Sequence, residues 1–281
     1  MEDKHINNPK SPKFYINRYI KENIKSIQNK NIVDFPTGNG ITAKLLLDAG
    51  ANVFPFDLFP EYYRLTSPEC KYADISKGIP LPNEFADYVF CQEGIEHFPD
   101  QLNALKEFSR ILKPGGRLII TTPSYSNLAA RFSYLLFESE TNKQMPPNEI
   151  NDIWMDSNAD IYFGHIFLIG IQKLRVLATL SGFNITELKY LRLSKSSLLL
   201  FPLFYIPILI SSHLRYRKNL RKNPEIKLEV KKKVYLEQLK INCSIKNLLN
   251  HHTFIEFEKS SISPNGIPYK KNQIVDFNSL T

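Results

Sequence analysis

Residues 32–40 read Ile-Val-Asp-Phe-Pro-Thr-Gly-Asn-Gly, and the rest of the chain is best read outward from them. A short apolar run, Ile32-Val33, ends in the carboxylate of Asp34. A tight turn with Gly38 and Gly40 follows, and Ile41–Ala49 then has the composition of a helix. Glycines at a strand-to-helix turn let the backbone approach a ligand closely. An acid at the strand tip would repel a pyrophosphate and attract a ligand carrying an ammonium and a sulfonium. That points to S-adenosylmethionine. The competing reading is a dinucleotide, because Gly38-Asn39-Gly40-Ile41-Thr42-Ala43 also fits G-x-G-x-x-G/A, with Asp57 17 residues after Gly40. Pro36 stands where many nucleotide-binding turns carry glycine; it stiffens the turn and removes an N–H donor.

Outward from the turn, strand and helix alternate. Phe14–Ile27 has apolar residues near helical spacing and is expected to cover the sheet edge. Asn31–Phe35, Ala51–Phe56, a short strand within Cys70–Ile75, Phe85–Cys91 and Arg117–Thr122 read as strands 1 to 5. Leu102–Leu112 is an amphipathic helix, stopped by Pro114-Gly115-Gly116. Residues 123–165, rich in Asn, Pro and aromatics, are expected to be an irregular lid or binding loop. Gly170–Ser181 is a helix, Ile185–Leu193 strand 6 and Thr253–Glu258 the last strand. The pattern predicts an α/β fold: a mostly parallel seven-stranded sheet with helices on both faces and the last strand antiparallel. The expected organisation is a helical cap (1–30), a core (31–193), an inserted segment (194–250), and a last strand with tail (251–281).

The stretch after strand 4, Cys91-Gln92-Glu93-Gly94-Ile95-Glu96-His97, lies where open parallel sheets bind ligands. Glu93, Glu96 and His97 are spaced i, i+3, i+4, so a helical turn would put all three on one face. Two carboxylates and an imidazole suit Mg²⁺, Mn²⁺ or Zn²⁺. Alternatively His97 is a general base. His165, within an aromatic run, is a fourth ligand, a base or a structural residue.

Together these pieces resemble the class I S-adenosylmethionine-dependent methyltransferases, well over 31–125 and loosely over 160–193. Val33–Gly40 looks like their first motif, and Ile111-Leu112-Lys113-Pro114-Gly115-Gly116-Arg117-Leu118 resembles their "LKPGG" signature. The resemblance implies a Rossmann-like fold and S-adenosylmethionine as cofactor. It implies a donor site at Asp34, Gly38, Gly40 and Gln92, with Asp57 on the ribose hydroxyls and Asp74 on the adenine amino group. The Glu-x-x-Glu-His run is similar to one in ubiquinone-pathway O-methyltransferases and small-RNA 2′-O-methyltransferases, where these positions bind a divalent metal. The layout looks closest to bacterial methyltransferases of cell-surface glycan synthesis, which implies a hydroxyl on a glycan or lipid-linked glycan as acceptor. The alternatives are an RNA 2′-O-methyltransferase and a non-catalytic, membrane-associated nucleotide-pocket protein.

Charge is uneven. Between Ser211 and Asn247 eleven basic residues stand against three acids, which accounts for the whole formal net charge of +8. A globally cationic nucleic-acid coat is thereby disfavoured. Leu198–Ile210 has no charged residue, but Pro202 and Pro207 are expected to break it, leaving it too short to cross a bilayer. An apolar wedge, with Phe201 and Phe204 in it, beside clustered Lys/Arg suits an anionic membrane surface across 198–246. The competing reading is an arm packed on the core or on a partner, with its charged face in water. Cys70, Cys91 and Cys243 form neither a disulfide framework nor a zinc pattern, and the polar N-terminus shows no signal pattern, so a reducing cytoplasm is expected.

Overall fold

The structure is a computed structural model that describes residues 4–139, 145–155 and 161–260. The expected tail therefore lies largely outside the described residues. In chain order the elements are α1 (Pro12–Glu22), α2 (Ile24–Ile27), β1 (Asn31–Asp34), α3 (Ile41–Asp48), β2 (Asn52–Asp57), β3 (Lys71–Tyr72), β4 (Ala86–Gln92), α4 (Gln101–Ile111) and β5 (Leu112–Pro123). Then follow α5 (Leu128–Phe137), β6 (Ile153–Met155), β7 (Ile161–Phe163), α6 (Ile171–Leu180), β8 (Phe183–Leu188), α7 (Lys195–Leu220), α8 (Leu228–Cys243), α9 (Ile245–Leu249) and β9 (His252–Lys259).

Seven strands form one sheet in the order β3-β2-β1-β4-β5-β9-β8. The first five run parallel; β9 is antiparallel to both neighbours. Successive strand residues go to opposite faces. Val33, Val89 and Ile120 enter one core with Leu105 and Phe108 of α4 and Leu174 of α6. Ile32, Phe90 and Ile119 enter the other with Ile16 and Tyr19 of α1 and Leu46 of α3. That two-sided burial is why these strands read as apolar runs rather than alternating ones. Strand order reverses between β1 and β4, so a crevice opens beyond their carboxyl ends.

Four local expectations are corrected. Helix α4 ends at Ile111, before Pro114, and β5 already begins at Leu112. The described residues of 123–165 are not irregular throughout: they carry α5, capped by the Asn127 side chain on Ala130 N, and the paired strands β6 and β7, while 140–144 and 156–160 lie outside the described residues. Strand 6 sits earlier than expected, at Phe183–Leu188. Finally, α7 runs unbroken for 26 residues through Pro202 and Pro207. Both prolines are on its exposed face, and packing against α5, α8 and α9 holds the helix despite the missing N–H donors.

Candidate active site

A cavity of about 900 Å³ occupies the crevice at the switch point. Its floor is the turn after β1. Gly38 has φ +54°, and a Cβ there would meet no protein atom, so the space above this backbone is open. Gly40 has φ +84° and is not on the cavity wall; a Cβ there would come within 2.7 Å of the Tyr63 ring. The turn is locked from below, because a Cβ on Gly94 would lie 2.3 Å from Cδ of Pro36. Pro36 is thus packed against the loop after β4, which gives the proline a structural reason.

Asp34 departs from the expectation of a carboxylate facing the ligand. It is fully buried under the turn and does not line the cavity. Its Oδ2 accepts a 2.6 Å hydrogen bond from Thr37 Oγ1, and its Oδ1 is buried with no partner. Burial raises its acid to about 7, against the lowering effect of the Thr37 bond. Asp57 does line the cavity. Its carboxylate accepts from Gly38 N at 2.7 Å and Phe59 N at 3.0 Å. Each oxygen keeps a further lone pair for a hydroxyl donor. Burial pushes the Asp57 acid up. Asp74, also on the wall, accepts from Ser76 and pairs with Lys77 at 3.0 Å. Burial would raise its acid, but those partners leave it lowered. Gln92 lines the cavity with its Oε1 accepting from Thr42 of α3.

The Glu93/Glu96/His97 face does not form. Glu93 takes a left-handed backbone, φ +48°, and a short 3-10 turn begins only at Ile95. Glu93 is therefore engaged by other partners: it accepts from Thr121 Oγ1 at 2.7 Å and pairs with His252 Nε2 at 2.8 Å. Burial would raise the Glu93 acid, yet His252 and Thr121 hold it low. Glu96 is fully buried; its Oε2 accepts from Thr122 Oγ1 at 2.9 Å and its Oε1 is unpartnered. Burial and the neighbouring Glu93 push it up to about 8.

His97 sits between the loop after β4 and the hairpin. Its Nδ1 faces the Phe163 and Gly164 carbonyls, both acceptors, so Nδ1 carries the proton. Nε2 is then an acceptor, and the Tyr162 hydroxyl donates to it at 3.1 Å. Burial lowers the imidazole below its usual value, so it is neutral at pH 7. Burial raises the Tyr162 hydroxyl to about 12. The Tyr162 and His165 rings lie 4.8 and 5.4 Å from that of His97, and Trp154 packs on Tyr162. Ligand atoms of Glu96, His97 and His165 lie within 4.8 Å of one another. An unpartnered Glu96 oxygen, and a histidine whose other nitrogen is held by carbonyls, fit a divalent cation. Side-chain movement must bring these atoms closer, since ligands around a tetrahedral zinc are roughly 3.4 Å apart.

The chain matches the family model described as a methyltransferase domain over residues 13–188, more than half its length. It belongs to the class I S-adenosylmethionine-dependent methyltransferases. Its architecture is similar to that of a solved SAM-dependent methyltransferase from Archaeoglobus fulgidus (TM-score 0.51, 12% identity, 89% of this chain and 96% of that one), a likeness of fold alone. It is 31% identical over 124 residues to the ubiquinone biosynthesis O-methyltransferase of Colwellia psychrerythraea, covering 38% of this chain and 50% of that one. It is 30% identical over 108 residues to the demethylmenaquinone methyltransferase of Chlorobaculum parvum, covering 37% and 45%. The chain spans about half the length of the curated relatives it matches.

As a methyltransferase, the chain has a donor in S-adenosylmethionine, and the cavity fits it. Paired acceptors at Asp57 suit ribose hydroxyls, and the open backbone at Gly38 admits close approach. Lys13 of α1 adds a cation to the wall, opposite in sign to the donor's carboxylate. Lys13, Tyr162, Thr122 and His252 were not singled out from sequence. Tyr162 at least stood in the aromatic run around His165. His252 opens the last strand, and nothing in its spacing ties it to Glu93, 159 residues away.

Proposed function

We propose that this methyltransferase transfers a methyl group to a hydroxyl of a glycan or lipid-linked glycan, acting in the cytoplasm at the inner face of a membrane. The observation that supports the reading is the hydroxyl already resting on His97 Nε2. A neutral imidazole that accepts an O–H bond, oriented by two carbonyls on its other nitrogen, is built to take a proton from an alcohol. The Tyr162 hydroxyl marks where the acceptor hydroxyl sits. Trp154, Tyr162 and Phe163 on the cavity wall offer flat faces to a sugar ring. The donor supplies a methyl already activated on a sulfonium, so alignment and exclusion of water are the remaining requirements. Asp57, Asp74, Gln92 and the Gly38 turn hold the donor. Asp34 and Gly40 shape that turn from beneath. His165 orients His97. A divalent ion, if bound at Glu96, His97 and His165, would polarise the acceptor oxygen.

A second reading has a phenolic head on a lipid tail as acceptor. It is favoured by the two relatives named for ubiquinone and menaquinone chemistry, and by the same aromatic walls. The test is incubation with methyl-labelled donor and lipid extracts, followed by mass spectrometry. Label in a glycan-bearing lipid supports the first reading, and label in a phenolic lipid the second. His97→Asn should abolish either while leaving donor binding intact. Label confined to RNA would sink both.

A further inference from the structure

Helices α5 and α7 lie side by side. Ala129 N donates to Ser197 Oγ at 3.0 Å, and the Phe132 and Phe204 rings are 6.0 Å apart. The inner face of α7 is occupied: Phe204 meets α5, and Ser212 accepts from Asn242 of α8 at 2.7 Å, while Phe201 stacks on Tyr205 of the same helix. Phe204 is therefore not a free wedge. The outer face is a different set. Leu199, Leu203, Ile206, Ile210 and Leu214 recur at spacings of four, three, four and four along one stripe, 82%, 68%, 57%, 57% and 60% exposed. Helix α5 adds Leu135 and Leu136, 75% and 55% exposed. Soluble monomers rarely leave so much contiguous apolar surface in water.

Charge and topology decide what covers this surface. Arg215, Arg217, Lys218, Arg221 and Lys222 follow the apolar stripe at once, with no acid among them. An apolar stripe ending in clustered cations matches the acyl-to-headgroup boundary of an anionic leaflet. By length and composition α7 could cross a bilayer. Its connections forbid that. Ser197 near its start is bonded to Asn127, Ser212 in its middle to Asn242, and the Leu220 carbonyl at its end to Lys231. The chain then returns to the sheet as β9, paired with β5. A helix fastened at its start to α5 and along its length to α8, which Gln172 and Arg175 of α6 hold in turn, cannot be ringed by lipid.

We propose that α5 and α7 form a platform on which the protein lies flat on an anionic membrane, with the outer stripe in the leaflet and the 215–222 cations on the headgroups. The surface deepens the lipid-linked reading above, since α5 leaves the end of β5 that carries Thr121 and Thr122. Its test needs neither acceptor nor turnover, so the two fail separately.

The full chain is mixed with phosphatidylglycerol-containing vesicles or phosphatidylcholine vesicles and sedimented. Binding is expected to the first and not the second, and to weaken as salt rises from about 50 to about 500 mM. Leu199→Asp with Leu203→Asp should reduce binding by about ten-fold or more. Leu135→Asp should reduce it as well, which a platform of α7 alone would not require. All these positions are exposed, so melting temperature and donor affinity should be unchanged. No vesicle binding, or equal binding to both vesicle types, overturns the proposal. So does a wild-type dimer in sedimentation velocity that the double variant dissociates, because the occupant would then be a second copy.

Discussion

Replacing Asp34 by Asn should remove a pH dependence of stability that the structure assigns to this one group. Asp34 is fully buried, with one oxygen bonded to Thr37 and the other without a partner. Its acid stands at about 7 in the folded protein against 3.8 for an unperturbed aspartate. The folded state therefore holds the proton where the unfolded chain has lost it. The stabilisation is complete below the unfolded value and is lost as pH climbs through the folded one. A shift of that size corresponds to about 4 kcal/mol in total, of which about 3 kcal/mol falls between about pH 5 and about pH 8.5. Glu96, raised to about 8 by burial and by Glu93, slopes the same way, so wild type alone does not isolate Asp34. The difference between wild type and Asp34→Asn does, because Glu96 is common to both. The assay is urea unfolding of both proteins across that pH range. Wild type should lose about 3 kcal/mol relative to the variant, equivalent to about 5 °C in melting temperature. Parallel pH profiles would refute the assignment of a protonated, buried Asp34.

Three further outcomes follow from the site. Gly94→Ala drives a methyl into the Pro36 ring, and overpacking of this kind costs ~1–3 kcal/mol; both melting temperature and donor affinity by calorimetry should fall, and an unchanged pair would mean that the two loops are not locked. His252→Ala leaves Glu93 with Thr121 alone and should cost about 1–2 kcal/mol, a lower-end value because Glu93 is partly exposed; His252→Gln, which keeps an N–H donor, should recover most of it by the same unfolding assay. If Glu96, His97 and His165 hold a cation, Mn²⁺ or Zn²⁺ should raise the melting temperature of wild type and not of Glu96→Gln, since only a ligand of the native state does so; a shift of equal size in both proteins excludes Glu96 as a ligand.

Parts of this molecule were legible because they are local. The strand-turn-helix at 31–48 is written in consecutive residues: an apolar run, an acid, two glycines with positive φ, and a helical pattern. The α4–β5 segment is equally local, and its Pro-Gly-Gly stretch was legible as punctuation even though it falls inside β5. The parallel order follows from alternation of short elements that must cover both faces of a sheet. Residues 123–165 were less legible. Proline, asparagine and aromatics lower local propensity, and only packing against α7 and closure over His97 make α5 and the hairpin regular. Prolines 202 and 207 misled for a related reason: propensity counts missing hydrogen bonds and cannot see the neighbouring helices that compensate.

Sequence by itself determined the turn and the strand ends that frame the crevice. The residues that shape or line that pocket sit in short motifs at the carboxyl ends of successive strands, and the strand order follows from chain connectivity. Tertiary structure decided how Glu93, Glu96 and His97 are partnered. Spacing placed Glu93, Glu96 and His97 on one helical face. A single left-handed residue at Glu93 separated them, giving Glu93 to His252 and His97 to Tyr162. Those partners lie 159 and 65 residues away. A backbone rotation at one residue and a contact across the fold leave no periodic trace in the chain, so they exist only once the sheet, the hairpin and the last strand have closed on one another.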